Sequence, residues 1–257
     1  MPLHLLAAVY VAILGLIVGS YLNVVIYRVP LGLSTVTPRS RCPGCGAPIR
    51  ARDNVPVFSY LILRGRCRSC GTPISWRYPA IETATALLFV ACLERFGFTL
   101  ETPAAMLFCC LMVALAMIDA DHMILPDRIT WPGIAVGIAV QPWAPLAGLV
   151  PAVAGALLGG GLLLAVWGGW YLLRHEEGMG LGDVKMLAMV GAFLGWRGVV
   201  VTLFFGALAG SVAGLALMRW GSLDMRSRLP FGTFLALGGL VALFAGEALV
   251  GSYARLL

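Results

Sequence analysis

The chain has 257 residues, 60% of them hydrophobic and only 12% charged, with a mean hydropathy of +0.92. Soluble domains average roughly 45–50% apolar and about 25% charged residues, so an ordinary soluble domain is excluded and a polytopic membrane protein is expected. The net charge of +6 does not argue for nucleic acid, because apolar blocks separate the basic residues; it fits membrane topology and anionic lipid instead.

The first predicted span runs from about Leu3 to Tyr27, close to the ~20 residues a bilayer requires. No Lys or Arg precedes it and Arg28 follows it, the reverse of the charge order of a signal peptide. Within it, Gly15 and Gly19 allow another helix to approach closely. Residues 28–77 form the only extended polar region and carry nine arginines against one acid, Asp53. The positive-inside rule places this loop in the cytoplasm and the N-terminus outside.

Further apolar stretches follow at about Pro79–Cys92, Ala104–Ile118, Ile129–Val140, Leu146–Leu173, Val184–Leu194, Val199–Met218 and Pro230–Val250. With sides alternating from the first loop, 15 of 18 basic residues fall inside, Arg226 and Arg228 among them. The expected fold is therefore an all-α polytopic membrane protein of about eight transmembrane helices. Its expected organisation is a first helix (1–28), a cytoplasmic loop (29–78) and a multi-span domain (79–257).

The loop holds Cys42-Pro43-Gly44-Cys45 and Cys67-Arg68-Ser69-Cys70, two CxxC pairs separated by 21 residues. Each pair offers two thiolates and four close a tetrahedron, so a zinc-ribbon-like site is expected, structural because no coordination position stays open. A polar loop of this size buries little core, which a metal staple offsets. Two disulfides are the competing reading, disfavoured in a reducing cytoplasm. Cys92, Cys109 and Cys110 sit inside apolar runs and read as packing residues.

Carboxylates at the edge of hydrocarbon are costly and mark function by default. One lies in Gly178-Met179-Gly180-Leu181-Gly182-Asp183-Val184-Lys185, where alternate glycines bring the backbone close to Asp183. A second group is Asp119-Ala120-Asp121-His122-Met123-Ile124-Leu125-Pro126-Asp127. Asp119 ends an apolar run and should lie deepest. Asp121 is either a solvated loop charge or a supporting group, and Asp127, after Pro126, is expected to cap a helix start. The topology puts Asp119 and Asp183 on one side of the membrane although they are 64 positions apart.

Two such carboxyl groups share a proton, activate water and protonate a leaving amine, the minimum for peptide hydrolysis. No HExxH or GxSxG motif is present, and Ser20 and Ser211 have no base nearby in sequence. On spacing alone, a proton relay in a transporter is an equal reading. Glu82 and Lys185, at predicted cytoplasmic span ends, are candidates for orienting substrate or cofactor; snorkelling at the interface is the alternative.

Several stretches together carry a family resemblance. Gly19-Ser20-Tyr21-Leu22-Asn23-Val24-Val25-Ile26-Tyr27-Arg28-Val29-Pro30 is similar to the opening signature of bacterial type IV prepilin peptidases, the leader peptidase/N-methyltransferase enzymes. Arg39-Ser40-Arg41-Cys42-Pro43-Gly44-Cys45, Asp53-Asn54-Val55-Pro56-Val57, Leu63-Arg64-Gly65-Arg66-Cys67-Arg68 and Arg77-Tyr78-Pro79 resemble the loop of that family. Gly180-Leu181-Gly182-Asp183 resembles the GxGD motif shared with presenilin-like intramembrane aspartyl proteases.

The resemblance implies Asp119 and Asp183 as a catalytic pair; Gly180, Gly182, Asp121, Asp127 and Lys185 are the candidate supporting residues around it. It implies cleavage of the basic leader of prepilins or pseudopilins, of the pilus or type II secretion kind, at the cytoplasmic face of a bacterial inner membrane. It also implies N-methylation of the new N-terminus with S-adenosylmethionine. No Rossmann fingerprint points independently to that cofactor. Oligomeric state is not legible.

Overall fold

The computed structural model describes residues 2–175, 180–220 and 229–255. Gly178 and Met179 of the glycine-rich stretch lie outside the described residues, as do Arg226 and Arg228 from the topology count. The chain divides into two compact units, Met1–Phe98 and Thr99–Leu257.

The first unit is built on α1 (Pro2–Arg28) and α3 (Arg77–Phe96), with a loop between them that holds a 3-10 turn (Ala51–Asp53) and the short α2 (Phe58–Ile62). The glycines of α1 set the contact. A Cβ at Gly15 would stand 2.5 Å from Ala86 Cα, and one at Gly19 would stand 2.7 Å from Glu82 Cα. Since 15 meets 86 and 19 meets 82, the two helices run antiparallel at backbone distance. The opposite face of α1 exposes Leu3, Leu6, Tyr10, Ile13 and Ile17, an apolar surface suited to hydrocarbon.

The second unit contains α4 (Glu101–His122), α5 (Asp127–Ala139), α6 (Leu149–Arg174), α7 (Leu181–Arg219) and α8 (Phe231–Ala254). Its core includes the first half of α7, where Met186, Leu187, Met189, Val190 and Phe193 are fully buried, as are Phe108, Met112, Leu115 and Ile118 of α4; the ring centroids of Phe108 and Phe193 lie 5.3 Å apart. Glycines again allow the closest approaches. A Cβ at Gly155 of α6 would stand 2.4 Å from Gly195 C, and one at Gly133 of α5 would stand 2.2 Å from Met189 Sδ.

Among the described residues, α1, α4, α6, α7 and α8 are long and apolar enough to cross a membrane. The eight stretches expected from the sequence map onto these differently. Pro79–Cys92 lies in α3, which carries Arg77, Glu82, Glu94 and Arg95 over its 20 residues. Ile129–Val140 overlaps α5, only 13 residues long. Val184–Leu194 and Val199–Met218 belong to one 39-residue element, interrupted at Gly195 with φ 68° and ψ −177°. The two α7 stretches fall on either side of that interruption, whereas neither α3 nor α5 is among the helices long and apolar enough to cross.

That interruption has a chemical consequence. A break at Gly195 withdraws the N–H partners of the Ala192 and Phe193 carbonyls, and buried carbonyls without partners are costly. Gln141, itself 2% exposed, supplies them: its Nε2 donates toward Ala192 O at 2.9 Å, Phe193 O at 3.0 Å and Gly137 O at 3.1 Å. Its Oε1 accepts the N–H groups of Ala147 and Gly148 at 3.2 and 3.0 Å. One amide thus joins the end of α5, the turn before α6 and the break in α7.

Candidate active site and metal centre

The two CxxC turns fold alike. Cys42 N–H donates to Ala47 O and Gly46 N–H to Cys42 O; Cys67 N–H donates to Thr72 O and Gly71 N–H to Cys67 O, all at 2.8–2.9 Å. Each turn ends on a glycine in the left-handed region, Gly46 at φ 69° and Gly71 at φ 74°, which a Cβ would oppose. Gly44 is small for another reason: a Cβ there would stand 2.6 Å from Thr72 Oγ1 of the opposite turn.

The result is one cluster. The Sγ atoms of Cys42, Cys45, Cys67 and Cys70 all lie within 4.8 Å of one another, with Cys42 and Cys70 at 3.7 Å. Four thiols converging at this spacing can hold a metal ion. The Thr72 hydroxyl, 3.1 Å from Cys70 Sγ, brings that thiol down to about 6. Arg68, inside the second turn, donates from Nε (2.8 Å) and Nη2 (2.7 Å) to Asp53 Oδ1. This contact holds the Asp53 carboxyl below its ordinary value, with Arg52 and Arg50 adding to the effect.

Glu82, on α3, is buried against α1 and the loop. Its Oε2 accepts the Val57 N–H at 2.7 Å, and Ser20 hydrogen-bonds to the same carboxyl group. Val57 has φ 61° and ψ −51°, an unfavourable conformation for a β-branched residue. The carboxylate therefore pins the strained start of α2. It does not snorkel.

In the second unit the two acids expected to act together are buried, Asp119 at 5% and Asp183 at 8% exposure. Asp119 sits in the last turn of α4 and Asp183 in the first turn of α7, close enough to act on one another electrostatically. Leu125, in the connection after α4, is packed between their surroundings. A Cβ at Gly182 would stand 2.9 Å from Leu125 Cβ, so the glycine before Asp183 permits the approach. Gly180 is extended, with φ −73°; among the described residues a Cβ there would meet Asp183 Oδ2 only at 3.9 Å.

The remaining acids of the first group stand apart from this pair. Asp121 is exposed. Asp127 opens α5 and forms an ion pair with Lys185, one turn into α7, tying the starts of the two helices together. One contact had no counterpart in the sequence reading. Thr233, at the start of α8, donates its N–H to Asp119 Oδ2 at 2.7 Å, and its hydroxyl lies 3.2 Å from the same oxygen. The signal was available: Pro230-Phe231-Gly232-Thr233 before an apolar run has the form of a helix start. Nothing local tells which carboxylate its free N–H groups meet.

Comparison with known proteins follows this division of the chain. Residues 13–96 match the bacterial peptidase A24 N-terminal domain, and residues 106–215 match the type IV leader peptidase family. A protein of Stutzerimonas stutzeri named prepilin leader peptidase/N-methyltransferase is 36% identical over 94% of this chain and 91% of its own length. A protein of the same name from Pseudomonas aeruginosa is 38% identical over 97% and 94%. One from Myxococcus xanthus reaches 46% over 83% of this chain and 64% of its own length. No solved structure matches. The chain is a member of the type IV leader peptidase family, a family of proteases.

Proposed function

We propose that this protein is a membrane-embedded aspartyl endopeptidase that removes the leader of type IV prepilins or pseudopilins and then N-methylates the exposed amine. The observation that carries the proteolytic half is the pairing of Asp119 and Asp183. Distant in sequence, they are buried at adjoining helix ends and interact electrostatically. Two carboxyl groups so placed hold one proton between them. One takes a proton from water as it attacks the scissile carbonyl; the other gives a proton to the departing amine.

The supporting residues have distinct parts in this reading. Gly182 lets Asp183 approach Leu125, and Gly180 leaves room for the substrate backbone. Asp127 and Lys185 fix α5 to α7 and so set the direction of the first turn that bears Asp183. Asp121, exposed on the last turn of α4, meets the basic leader. The substrate's apolar helix lies among the spans, and the scissile bond reaches the cytoplasmic membrane edge.

Cys42, Cys45, Cys67 and Cys70 would hold one zinc ion as four thiolates, which would close the loop and leave no coordination position open for hydrolysis. S-adenosylmethionine, when bound, would supply the activated methyl group for the new N-terminal amine. This second activity rests on the resemblance of the loop and on the names of the relatives. The chain crosses a bacterial inner membrane about eight times with its N-terminus outside. A 39-residue α7 would be about 58 Å long if unbroken, against a hydrocarbon core of about 30 Å; the break at Gly195 lets it cross twice.

Leader removal in membranes carrying Asp119→Asn or Asp183→Asn tests the pair. Each variant should lose about 10²–10⁴-fold in rate. Wild-type processing by either one removes that residue from the mechanism.

A further inference from the structure

We propose that the start of α8, Gly232 and Thr233, is a third part of the active site, a positioning element that fixes the Asp119 carboxyl group for hydrolysis. The proposal rests on Asp119 being one of the catalytic pair.

The first N–H groups of a helix have no acceptor within it. At the start of α8 they meet Asp119. Thr233 N–H donates to Oδ2 at 2.7 Å, and the Gly232 N–H faces the same carboxyl group. The Thr233 hydroxyl stands 3.2 Å from Oδ2 and 3.0 Å from the Ala116 carbonyl. It has one proton, which it gives to one of these two oxygens at a time, so the hydroxyl sits between the carboxyl group and the helix turn that bears it. Both Thr233 contacts fall on Oδ2.

Gly232 sets the clearance. A Cβ at this position would stand 3.0 Å from Asp119 Oδ2, 3.1 Å from its Cγ and 2.9 Å from Leu125 Cδ1. A methyl group cannot be added without moving the carboxyl group or Leu125. Leu125 is itself held on the other side by Gly182, one residue before Asp183. Asp119 is thus confined between a helix start that donates hydrogen bonds and an apolar side chain that touches both acidic segments. Reaction rates fall steeply when a reacting group is displaced, by about 10²-fold for 1 Å.

The test uses the purified full-length protein, a prepilin substrate and steady-state kinetics. Gly232→Ala should lower kcat about 10–100-fold with KM nearly unchanged. Thr233→Val, which keeps the shape and loses the hydroxyl, should lower kcat about 3–10-fold, and Thr233→Ser should restore it to within about 2-fold. If Gly232→Ala fails to fold, the Val and Ser variants decide. Wild-type kcat in Gly232→Ala and Thr233→Val, with Asp119→Asn inactive, would overturn this inference and leave the pair standing. So would a loss confined to KM, or a Ser variant no better than Val. An active Asp119→Asn variant would instead overturn the pair itself.

Discussion

The four-cysteine loop and the carboxylate pair are both clusters of side chains, yet they are assembled by opposite means. In the loop, each half is made by a turn of a few residues, with its own internal hydrogen bonds and its own left-handed glycine. The halves need only meet once, and a metal ion would supply the energy for that meeting. The carboxylate pair has no local half. Asp119 ends one helix and Asp183 starts another, and their approach depends on Leu125, Gly182 and the start of α8, which come from separate parts of the chain. A site of local turns can be read from spacing, whereas a site of helix ends is fixed by packing across a whole unit.

Removing the four thiols is the strongest way to separate the two regions. Structural zinc contributes on the order of 10–16 kcal/mol in small zinc domains, far more than the few apolar contacts of this loop can replace. Replacing Cys42, Cys45, Cys67 and Cys70 with Ser should take the metal content from about one zinc per chain to none. Limited proteolysis should then cut within residues 39–77 while α4–α8 stay protected. Unchanged zinc content in the quadruple variant would refute the site. Equal loss of protection in α4–α8 would show that the two regions do not stand apart.

The same contrast accounts for what the sequence disclosed. Cysteine spacing identified the four-thiol cluster, and the positions of Asp119 and Asp183 at the ends of apolar runs identified the buried acids. GxxxG in the first span corresponds to the close contact of Gly15 and Gly19 with α3. Partners contributed by remote backbone were not legible. Glu82 read equally as a snorkelling charge, because nothing in its neighbourhood announces the Val57 N–H it accepts 25 positions away. Thr233 was passed over because an apolar run hides which helix start is turned inward. The sequence divides α7 into two apolar stretches on either side of the break at Gly195, but what satisfies that break was not legible for a related reason. A glycine in a run of glycines carries no mark that its φ is positive, and Gln141 stands 51 positions from the carbonyl it serves.

Gln141 gives a way to test that second kind of assembly without touching an acid. Gln141→Leu keeps the bulk and removes every hydrogen bond, leaving two carbonyls at the break and two N–H groups before α6 without their partner. Each such group costs about 1–3 kcal/mol when buried; part of that is recovered by relaxation, and a loss of about 2–4 kcal/mol is expected. Unfolding in detergent should show the loss in the second unit, with zinc content unaffected. An unaltered unfolding midpoint would mean that the break is satisfied some other way.

The smallest effect lies at the edge of the loop. Arg68 stands inside the second cysteine turn, and its contact with Asp53 ties that turn to the 3-10 segment. Because the folded protein holds the Asp53 carboxyl below its ordinary value, the contact favours the fold fully above that ordinary range. It is lost only as the pH falls through the lowered value. Half-exposed ion pairs contribute little, so Asp53→Asn should weaken zinc retention against a chelator by no more than a few-fold. Between pH 6 and 8 the ratio of wild type to variant should stay flat, since Asp53 is fully ionised there. A ratio that changes across that interval would assign the effect to a group titrating near neutrality and would remove Asp53 as its source. A flat ratio would leave the loop as a site whose two turns are made locally, closed by a metal and only trimmed by charge.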